Sequence, residues 1–318
     1  MKTVGLIGLG NAGGPMAQRL LQAGYALKVF DLDPERMAEL APRGAVVTGS
    51  PADAVSETTI VLLPSAVEVR AAVHGERGVL TGMKPGNILI DLSGTDPNCA
   101  RELDDKVTAQ GGHFVGGTVH AAGAPAITIP QGKISLVVGG KKQALDDSIE
   151  LLNHLARKII CVPEPWMPKS MKLAIIMFAA IESAATAEVM AWLLGQDIDP
   201  RMFREVIRVT GSNSTQRVKE FFRRDERTGG TLSNIRKDLR QSLFVARDEQ
   251  VPLLMTSLAD QLAEMAVQRS GDRVRPSAAF AKLYEALAHV DMSQSVADAP
   301  TATATDEVEA KVIYVGDF

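Results

Sequence analysis

A glycine-rich segment near the N-terminus has the residue types and spacing of a loop that binds the phosphates of a dinucleotide. The six positions of this GxGxxG pattern are Gly8, Leu9, Gly10, Asn11, Ala12 and Gly13. The first glycine permits a tight turn, the second lets backbone approach a pyrophosphate, and the third lets helix and strand pack closely. A helix that begins at such a loop offers free N–H groups and a partial positive charge to the phosphates. The pattern therefore predicts a dinucleotide site.

An acidic residue at the end of the next apolar run indicates which dinucleotide is bound. Asp31 stands about 20 residues beyond the loop, where a carboxylate accepts hydrogen bonds from the hydroxyls of the adenine ribose. The same carboxylate would repel a 2′-phosphate, and no Arg or Lys directly follows it. A strand before the loop and a helix after it favour this interpretation over a turn that merely packs. We predict NAD as the cofactor, with NADP less favoured.

Short apolar runs alternate with helical patterns before about residue 160, which is typical of a parallel α/β sheet. The predicted strands are Thr3–Leu9, Ala26–Asp31, Thr59–Leu63, Ile88–Asp91, His113–Val115 and Ile134–Val138. A helix is predicted over Gly13–Ala23, and Asp33-Pro34 predicts the capped start of another. We therefore predict a Rossmann-type, NAD-binding domain over residues 1–163.

Strand signals stop near residue 164, and helical patterns follow. The helix predicted over 167–194 is apolar on nearly all faces, which is typical of a helix buried between domains. Further helices are predicted over Asp199–Arg208, Ser214–Phe222, Leu232–Gln250, Pro252–Arg269 and Pro276–Val290. We predict an all-α domain over 164–291, joined to the first domain by the long helix. The apolar faces of that helix also predict a homodimer or homotetramer.

Residues 292–318 are small, polar and acidic for most of their length, a composition typical of disorder. They end in the apolar run Lys311–Val315. Two alternatives stay open for this tail. It is either loose, or it adds a strand to a sheet edge of this or another subunit.

Composition excludes several classes of protein. The 318 residues contain 34 Lys and Arg against 38 Asp and Glu, a net charge of −4, which argues against a general nucleic-acid binder. Cys99 and Cys161 are too few and too far apart for a disulfide scaffold or a structural zinc site, and we expect no metal. The most apolar run, Leu173–Ile181, ends at Glu182, and the N-terminus lacks the long apolar core of a secretory signal. We expect a cytoplasmic protein without a membrane span.

Four sequence blocks resemble the β-hydroxyacid dehydrogenase family, which includes 3-hydroxyisobutyrate dehydrogenase and, more distantly, 6-phosphogluconate dehydrogenase. The resemblance covers about residues 1–290. The blocks are Gly5–Met16, the Asp91–Pro97 stretch, Lys172-Leu173 with its helix ending at Asp199-Pro200, and Lys237-Asp238-Leu239 followed by Val251-Pro252-Leu253 and Ser277-Ala278. The resemblance implies the two-domain fold predicted above and an oxidoreductase that transfers a hydride between a nicotinamide and a hydroxy acid.

The same resemblance implies roles for individual residues. Lys172 matches the family's catalytic lysine, which would donate a proton to the alkoxide or remove it in the oxidation direction. Lys169, one turn earlier, is the alternative lysine, and we expect its replacement by alanine to be mild. Leu63 and Pro64 would border the dinucleotide. Ser93 would lie near nicotinamide and substrate, and Lys237 would reach the nicotinamide end.

The substrate side departs from the family pattern. The family's glycine-rich loop corresponds to Gly116–Ala122 here, and His120, Ala121 and Ala122 replace its serine and two glycines. Ile176 replaces an asparagine one turn after the lysine. Hydrogen-bond donors are lost, and an imidazole and bulk are gained. We predict a larger or less polar hydroxy compound as substrate, with His120 either binding it or assisting Lys172. An ordinary, satisfied histidine is the equal alternative.

Two other functions stay open on the sequence alone. Loss of the asparagine and of the loop donors favours an NAD-binding, non-catalytic or regulatory homologue, whereas Lys172, Ser93 and Lys237 favour the enzyme. An imine reductase-like activity also occurs on this architecture, but those proteins usually lack the lysine. We predict the dehydrogenase, with a small hydroxy-acid-like molecule as its partner.

Overall fold

The computed structural model describes residues 2–121, 123–210, 231–248, 250–291 and 311–315. The chain divides into two compact units, Met1–Lys172 with Val308–Phe318 and Leu173–Glu307. The division falls after Lys172, inside the long helix. The helix predicted over Ser214–Phe222, residue Ala122 and most of the acidic tail lie outside the described residues.

The first unit is built on one sheet, in which the structure describes nine strands in the order β3-β2-β1-β4-β5-β6-β7-β8-β9. All neighbouring strands are parallel except β6 and β7, which are antiparallel. The strands are β1 Thr3–Ile7, β2 Ala26–Phe30, β3 Val46–Val47, β4 Thr58–Val61, β5 Ile88–Asp91, β6 His113–Ala121, β7 Ile134–Gly140, β8 Lys158–Val162 and β9 Val312–Tyr314. The Rossmann-type prediction is confirmed.

Helices connect these strands. They are α1 Gly13–Gln22, α2 Pro34–Leu40, α3 Pro51–Ala54, α4 Ala66–His74, α5 Val79–Gly82, α6 Pro97–Ala109, α7 Pro125–Thr128 and α8 Lys142–Leu155. In α1, Met16, Ala17 and Leu20 are buried because their helical spacing places them on one face, toward the sheet. The predicted start of α2 is confirmed, since the Asp33 carboxylate accepts from the Glu35 N–H and Pro34 occupies the first turn.

Strand β6 is longer than the sequence predicted, and this corrects the interpretation of Gly116–Ala121 as a loop. The strand continues to Ala121, and His120 and Ala121 pair with Ser135 and Ile134 of β7. Position 116 of this strand needs glycine, because a Cβ there would lie 1.9 Å from the Pro165 carbonyl oxygen. The segment is therefore half of an antiparallel pair and not a free set of backbone donors.

The second unit is helical in its described residues. Its helices are the remainder of α9 Met167–Gly195, then α10 Pro200–Thr210, α11 Leu232–Asp248, α12 Leu254–Ser270 and α13 Pro276–Ala288. Ala187 and Met190 of α9 pack with Phe280 of α13 in the core of this unit. The most apolar 18 residues of α9 have a mean hydropathy of 1.7, enough by length and composition to span a membrane, with 28% of that window buried. Packing against α13 accounts for part of this apolar character.

The described end of the tail is a strand. β9 pairs in parallel with β8 of the same chain, and the Val315 N–H donates to the Cys161 carbonyl at 2.9 Å. The Tyr314 hydroxyl donates to Asp146 of α8 at 2.5 Å. Of the two alternatives for the tail, the edge strand is the one that the structure contains, and the sheet edge that it extends belongs to its own chain.

Candidate active site

A cavity of about 730 Å³ opens at the carboxyl ends of β1, β2 and β4. It is lined by the glycine-rich loop and by Asp31, Leu63 and Pro64, and these predicted cofactor residues therefore meet in one place. Crevices at the carboxyl ends of parallel strands are where such sheets bind ligands. The start of α1 lies at this cavity, so its free N–H groups and dipole favour an anion there.

The glycines of the loop fit a bound pyrophosphate, each for its own reason. Gly8 has φ of +93°, a conformation that residues with a side chain rarely adopt. A Cβ on Gly13 would lie 1.8 Å from the Gly8 carbonyl oxygen, so only glycine lets α1 pack this closely. A Cβ on Gly10 would meet only the Arg36 guanidinium, at 3.7 Å, and would project into open space. Gly10 therefore keeps clear the volume that a phosphate group needs.

The Asp31 carboxylate is held at the edge of the cavity by backbone donors. The Leu9 N–H donates to one oxygen at 2.6 Å and the Asp33 N–H to the other at 2.8 Å. A carboxylate accepts about four hydrogen bonds, so Asp31 retains capacity for ribose hydroxyls. Arg36 also lines the cavity, and its guanidinium is 3.7 Å from the same carboxylate.

Arg36 is one of the cavity residues that were not predicted from the sequence; Asp33, Glu68 and Arg77 are others with a charge. No Arg or Lys directly follows Asp31 in the sequence, but Arg36, in the first turn of α2, lines the cavity 3.7 Å from the Asp31 carboxylate. The sequence contained the information needed to place Arg36. The Asp33-Pro34 cap fixes the first residue of α2 and hence which side chain of its first turn faces the end of β2.

Ser93 lies next to the cavity wall and links two strand ends. Its hydroxyl accepts from the N–H of Leu63 at 2.9 Å, and its own N–H donates to Asp91 at 2.9 Å. Ser93 is 1% exposed, so its hydroxyl is held by the protein in this structure. The predicted neighbours Leu63 and Ser93 are thus in direct contact.

Lys169, the alternative lysine one turn before Lys172, is buried. Its side chain is 0% exposed, and its ammonium lies 2.9 Å from a carboxylate oxygen of Asp91. The ammonium also donates to the backbone carbonyls of Ser93 and Gly117, each at 2.8 Å. The expectation of a mild Lys169→Ala variant is therefore wrong, because that change would leave the Asp91 carboxylate buried without its cation.

His120 lies in β6, in the same unit as Lys172. Burial lowers the pKa of the His120 imidazole from 6.5, and the charge of Lys172 lowers it further. His120 Nε2 is 2.9 Å from the hydroxyl of Thr118, which is buried in β6. The predicted catalytic lysine and the imidazole that replaces the family's serine therefore belong to the same unit.

The remaining predicted residues are distributed differently. Ala121 ends β6 beside His120, and Ala122 lies outside the described residues. Ile176 and Lys237 belong to the second unit, where Ile176 packs beside Ile235 and Leu239. The Lys237 ammonium is 3.6 Å from Asp238. Within the described part of the chain, no group of three or more His, Cys, Asp or Glu residues could hold a metal ion.

Comparison with known proteins agrees with this geometry. Residues 3–163 match the NAD binding domain of 6-phosphogluconate dehydrogenase, and residues 169–284 match the NAD-binding domain of NADP-dependent 3-hydroxyisobutyrate dehydrogenase. Mitochondrial 3-hydroxyisobutyrate dehydrogenase of Rattus norvegicus is 28% identical, covering 89% of this chain and 87% of the relative. L-threonate dehydrogenase of Cupriavidus necator is 29% identical, covering 83% and 90%.

A solved structure shows the same fold. The 3-hydroxyisobutyrate dehydrogenase of Mycobacterium tuberculosis, determined with L-serine, has a TM-score of 0.77 at 22% identity, covering 88% of this chain and 98% of that one. The fold and the dinucleotide cavity define a nicotinamide-dependent dehydrogenase that acts on CH–OH groups. The chain belongs to the β-hydroxyacid dehydrogenase family, as an NAD(P)-dependent hydroxyacid dehydrogenase.

Proposed function

We propose that this protein is an NAD-dependent dehydrogenase of a β-hydroxy acid with Lys172 as its general acid and base. The observation that carries the proposal is the dinucleotide cavity at the carboxyl ends of β1, β2 and β4, in a chain that matches the hydroxyacid dehydrogenase family over both units. Lys172 and His120 lie in the unit that holds this cavity. Leu63 lines the cavity, and its N–H donates to the hydroxyl of Ser93, the residue proposed to lie near nicotinamide and substrate.

The chemistry divides between the cofactor and the chain's own side chains. Bound nicotinamide supplies the hydride acceptor for oxidation or the hydride donor for reduction. Lys172 removes the hydroxyl proton in oxidation and returns it to the alkoxide in reduction. His120 orients the reacting oxygen or the carboxylate through its ring nitrogen that is not bonded to Thr118. The lowered pKa of His120 keeps its imidazole neutral at neutral pH.

The substrate differs from that of typical family members at its polar end. His120 and Ala121 lie in a paired strand, so the backbone there is engaged with β7. Ile176 offers no hydrogen bond where the family has asparagine. We therefore propose a β-hydroxy acid with a larger or less polar substituent than 3-hydroxyisobutyrate.

A substrate screen distinguishes this enzyme from a binding protein. 3-Hydroxyisobutyrate, L-threonate, L-serine and β-hydroxy acids with longer alkyl or aryl substituents would be tested with NAD at alkaline pH, following NADH absorbance. Turnover that is fastest with the bulkier acids is the expected result. Tight NADH binding without turnover of any of them would favour the non-catalytic alternative.

Cofactor preference provides a prediction of its own. The unmodified protein should use NAD with a higher kcat/KM than NADP. Asp31→Ala should shift the NAD/NADP ratio of kcat/KM toward NADP by roughly tenfold or more, about 1.4 kcal/mol, because the ribose acceptor and the repulsion of the 2′-phosphate are both removed. The Arg36 guanidinium, which keeps its ion pair with Asp33 at 3.2 Å, should then have its Nη1 side available to that phosphate.

Arg36→Ala in the Asp31→Ala background is the matched control for this prediction. It should reduce NADP use without restoring NAD use, since it removes the cation and no ribose acceptor is regained. Initial rates with both cofactors at fixed substrate measure the ratio. A preference of the unmodified protein for NADP would contradict the assignment of NAD.

Assembly is a further part of the proposal. Phe178 and Trp192 of α9 are 66% and 64% exposed in the second unit, large apolar surfaces for a soluble chain to leave in water. We expect a homodimer or homotetramer that buries them. Phe178→Glu with Trp192→Glu should lower the mass measured by light scattering, whereas Val67→Glu, at an exposed apolar position of α4, should not. A monomeric unmodified protein at micromolar concentration would contradict this expectation.

A further inference from the structure

The buried ammonium of Lys169 is a junction between three segments of the first unit. It contacts Asp91 Oδ2 at 2.9 Å, the carbonyls of Ser93 and Gly117 at 2.8 Å each, and the Asp91 carbonyl at 3.2 Å. An ammonium carries three N–H donors, so these four acceptors occupy all of them. Lys169 therefore has no donor to spare for a substrate, and any effect on the reaction must pass through the groups that it holds.

The groups that Lys169 contacts are hydrogen-bonded to, or lie next to, residues of the candidate site. Asp91 ends β5, and its carboxylate also accepts from the Ser93 N–H at 2.9 Å and the Thr95 hydroxyl at 3.3 Å. Ser93 in turn accepts from the Leu63 N–H at the cavity wall. Gly117 lies in β6, directly before Thr118, whose hydroxyl is bonded to His120. One side chain thus joins the end of β5 and the middle of β6 to the first turn of α9.

Stability alone gives a weak reason for a buried ion pair at this place. Removing two charges from water is expensive, and apolar replacements of a buried pair are often as stable or more so. The buried ammonium instead fixes geometry. Its N–H donors must point at four particular oxygen atoms, so the groups that carry those atoms are held in place. Displacements of about 1 Å between reacting groups can lower a rate by about 10²-fold.

We infer that Lys169 is a positioning residue, whose ammonium sets Ser93 and His120 relative to Lys172 by fastening β5 and β6 to the helix that carries the catalytic lysine. This inference rests on the proposed function for the roles of those three residues. It assigns the two lysines of one helical turn different tasks. Lys172 moves the proton, and Lys169 holds the strands that place its partners.

A pair of variants separates positioning from stability. Lys169→Met leaves the Asp91 carboxylate unpaired and should lower Tm by roughly 10 °C. Adding Asp91→Asn removes the orphaned charge while keeping an acceptor for the Ser93 N–H, so Tm should return to within a few degrees of the unmodified protein. If Lys169 positions the site, kcat of this double variant should stay about 10- to 100-fold low, with NADH affinity within about threefold.

Controls and a second readout complete the test. Lys142→Met, which breaks an exposed pair with Asp146, should change neither Tm nor kcat. Lys169→Gln with Asp91→Asn keeps an amide donor for the carbonyls and should recover part of kcat relative to the methionine variant. It also serves as the test if the methionine variant does not fold. Recovery of Tm and kcat together in the methionine double variant, or equal kcat in the glutamine and methionine doubles, would overturn the inference.

A measurement without substrate keeps the inference separate from the proposed function. The titration of the His120 imidazole by NMR should move in the methionine double variant because β6 is no longer held. The double variant removes one positive and one negative charge, so direct electrostatic effects largely cancel. An unchanged titration would overturn the positioning role. Absence of turnover in the unmodified protein would instead overturn the proposed function and leave this result standing.

Discussion

Replacement of Lys172 by alanine should lower kcat by roughly 10²–10⁴-fold, the usual contribution of a positioned proton-transfer group. The affinity for NADH should change little, because the glycine-rich loop and Asp31, which line the cavity, would hold the dinucleotide and Lys172 is not among the lining residues. Steady-state rates with the best hydroxy acid from the screen, together with NADH titration by fluorescence, measure both quantities. Lys84→Ala, an exposed lysine of the same unit, is the matched control and should behave as the unmodified protein.

His120→Ala distinguishes two ways in which the imidazole could serve Lys172. A rise in KM with kcat unchanged would identify a substrate-binding group, and an equal fall in kcat and kcat/KM would place His120 in the transition state. The lowered pKa of His120 also predicts the direction in which activity changes with pH. Because its pKa is lowered from 6.5, His120 becomes protonated only below that pH, and its contribution is lost as pH falls through the lowered value. His120→Ala should remove this contribution to the acid limb.

Near-normal turnover of Lys172→Ala would contradict the lysine mechanism. His120 would then be the first proton donor to test, since it lies in the same unit and the charge of Lys172 contributes to its lowered pKa. The comparison with Lys169→Met is informative in either case. A catalytic lysine lowers kcat at unchanged Tm, whereas loss of the buried Lys169 also lowers Tm.

Alanine at two glycines of the phosphate loop should weaken cofactor binding in both cases, but only one of the two changes should lower stability. Gly13→Ala places a Cβ 1.8 Å from the Gly8 carbonyl oxygen, so α1 must move away from the loop. We expect a loss of at least about 1–3 kcal/mol in the free energy of unfolding, with NADH binding abolished. Gly10→Ala meets only a guanidinium at 3.7 Å and should leave stability nearly unchanged.

Gly10→Ala should nevertheless weaken NADH binding by roughly tenfold or more, because its methyl group fills the space that the pyrophosphate approaches. Denaturant unfolding without cofactor, followed by NADH titration, separates the two effects. Gly24→Ala is a control for backbone strain away from the site, since Gly24 has φ of +88° with no neighbour within 4 Å of a Cβ. Unaltered NADH affinity in Gly10→Ala would show that the phosphates do not lie over this residue.

The dinucleotide part of the site was predictable because its signals are local. The loop, the helix that follows it and Asp31 all lie in one stretch of about 30 residues. Over such a short stretch the residue types alone indicate the turn and the helix. The structure brings Gly8–Gly13, Asp31, Leu63 and Pro64 to one cavity. Arg36 was missed because it lies five residues after Asp31 in the sequence, and α2 places its guanidinium 3.7 Å from the Asp31 carboxylate.

The extent of β6 and the position of the tail were less accessible. A run with two glycines and two alanines has weak strand propensity, and β6 continues to Ala121 because β7 pairs with it. Likewise, β9 exists as a strand because β8 offers it an open edge. The patterns of these segments allowed more than one conformation, and pairing with distant strands selected one.

By itself the sequence determined the class of fold, the cofactor loop, the family and the identity of Lys172 as the candidate catalytic lysine, because each depends on short motifs or on regular spacing. Only the tertiary structure decided what Lys169 does. Its partners lie between 52 and 78 residues away along the chain. The residues next to Lys169 in the sequence therefore do not indicate that its side chain is buried. Burial of a charge is a property of the packed sheet and helix together, so the ion pair with Asp91 became visible only when β5, β6 and α9 were placed side by side.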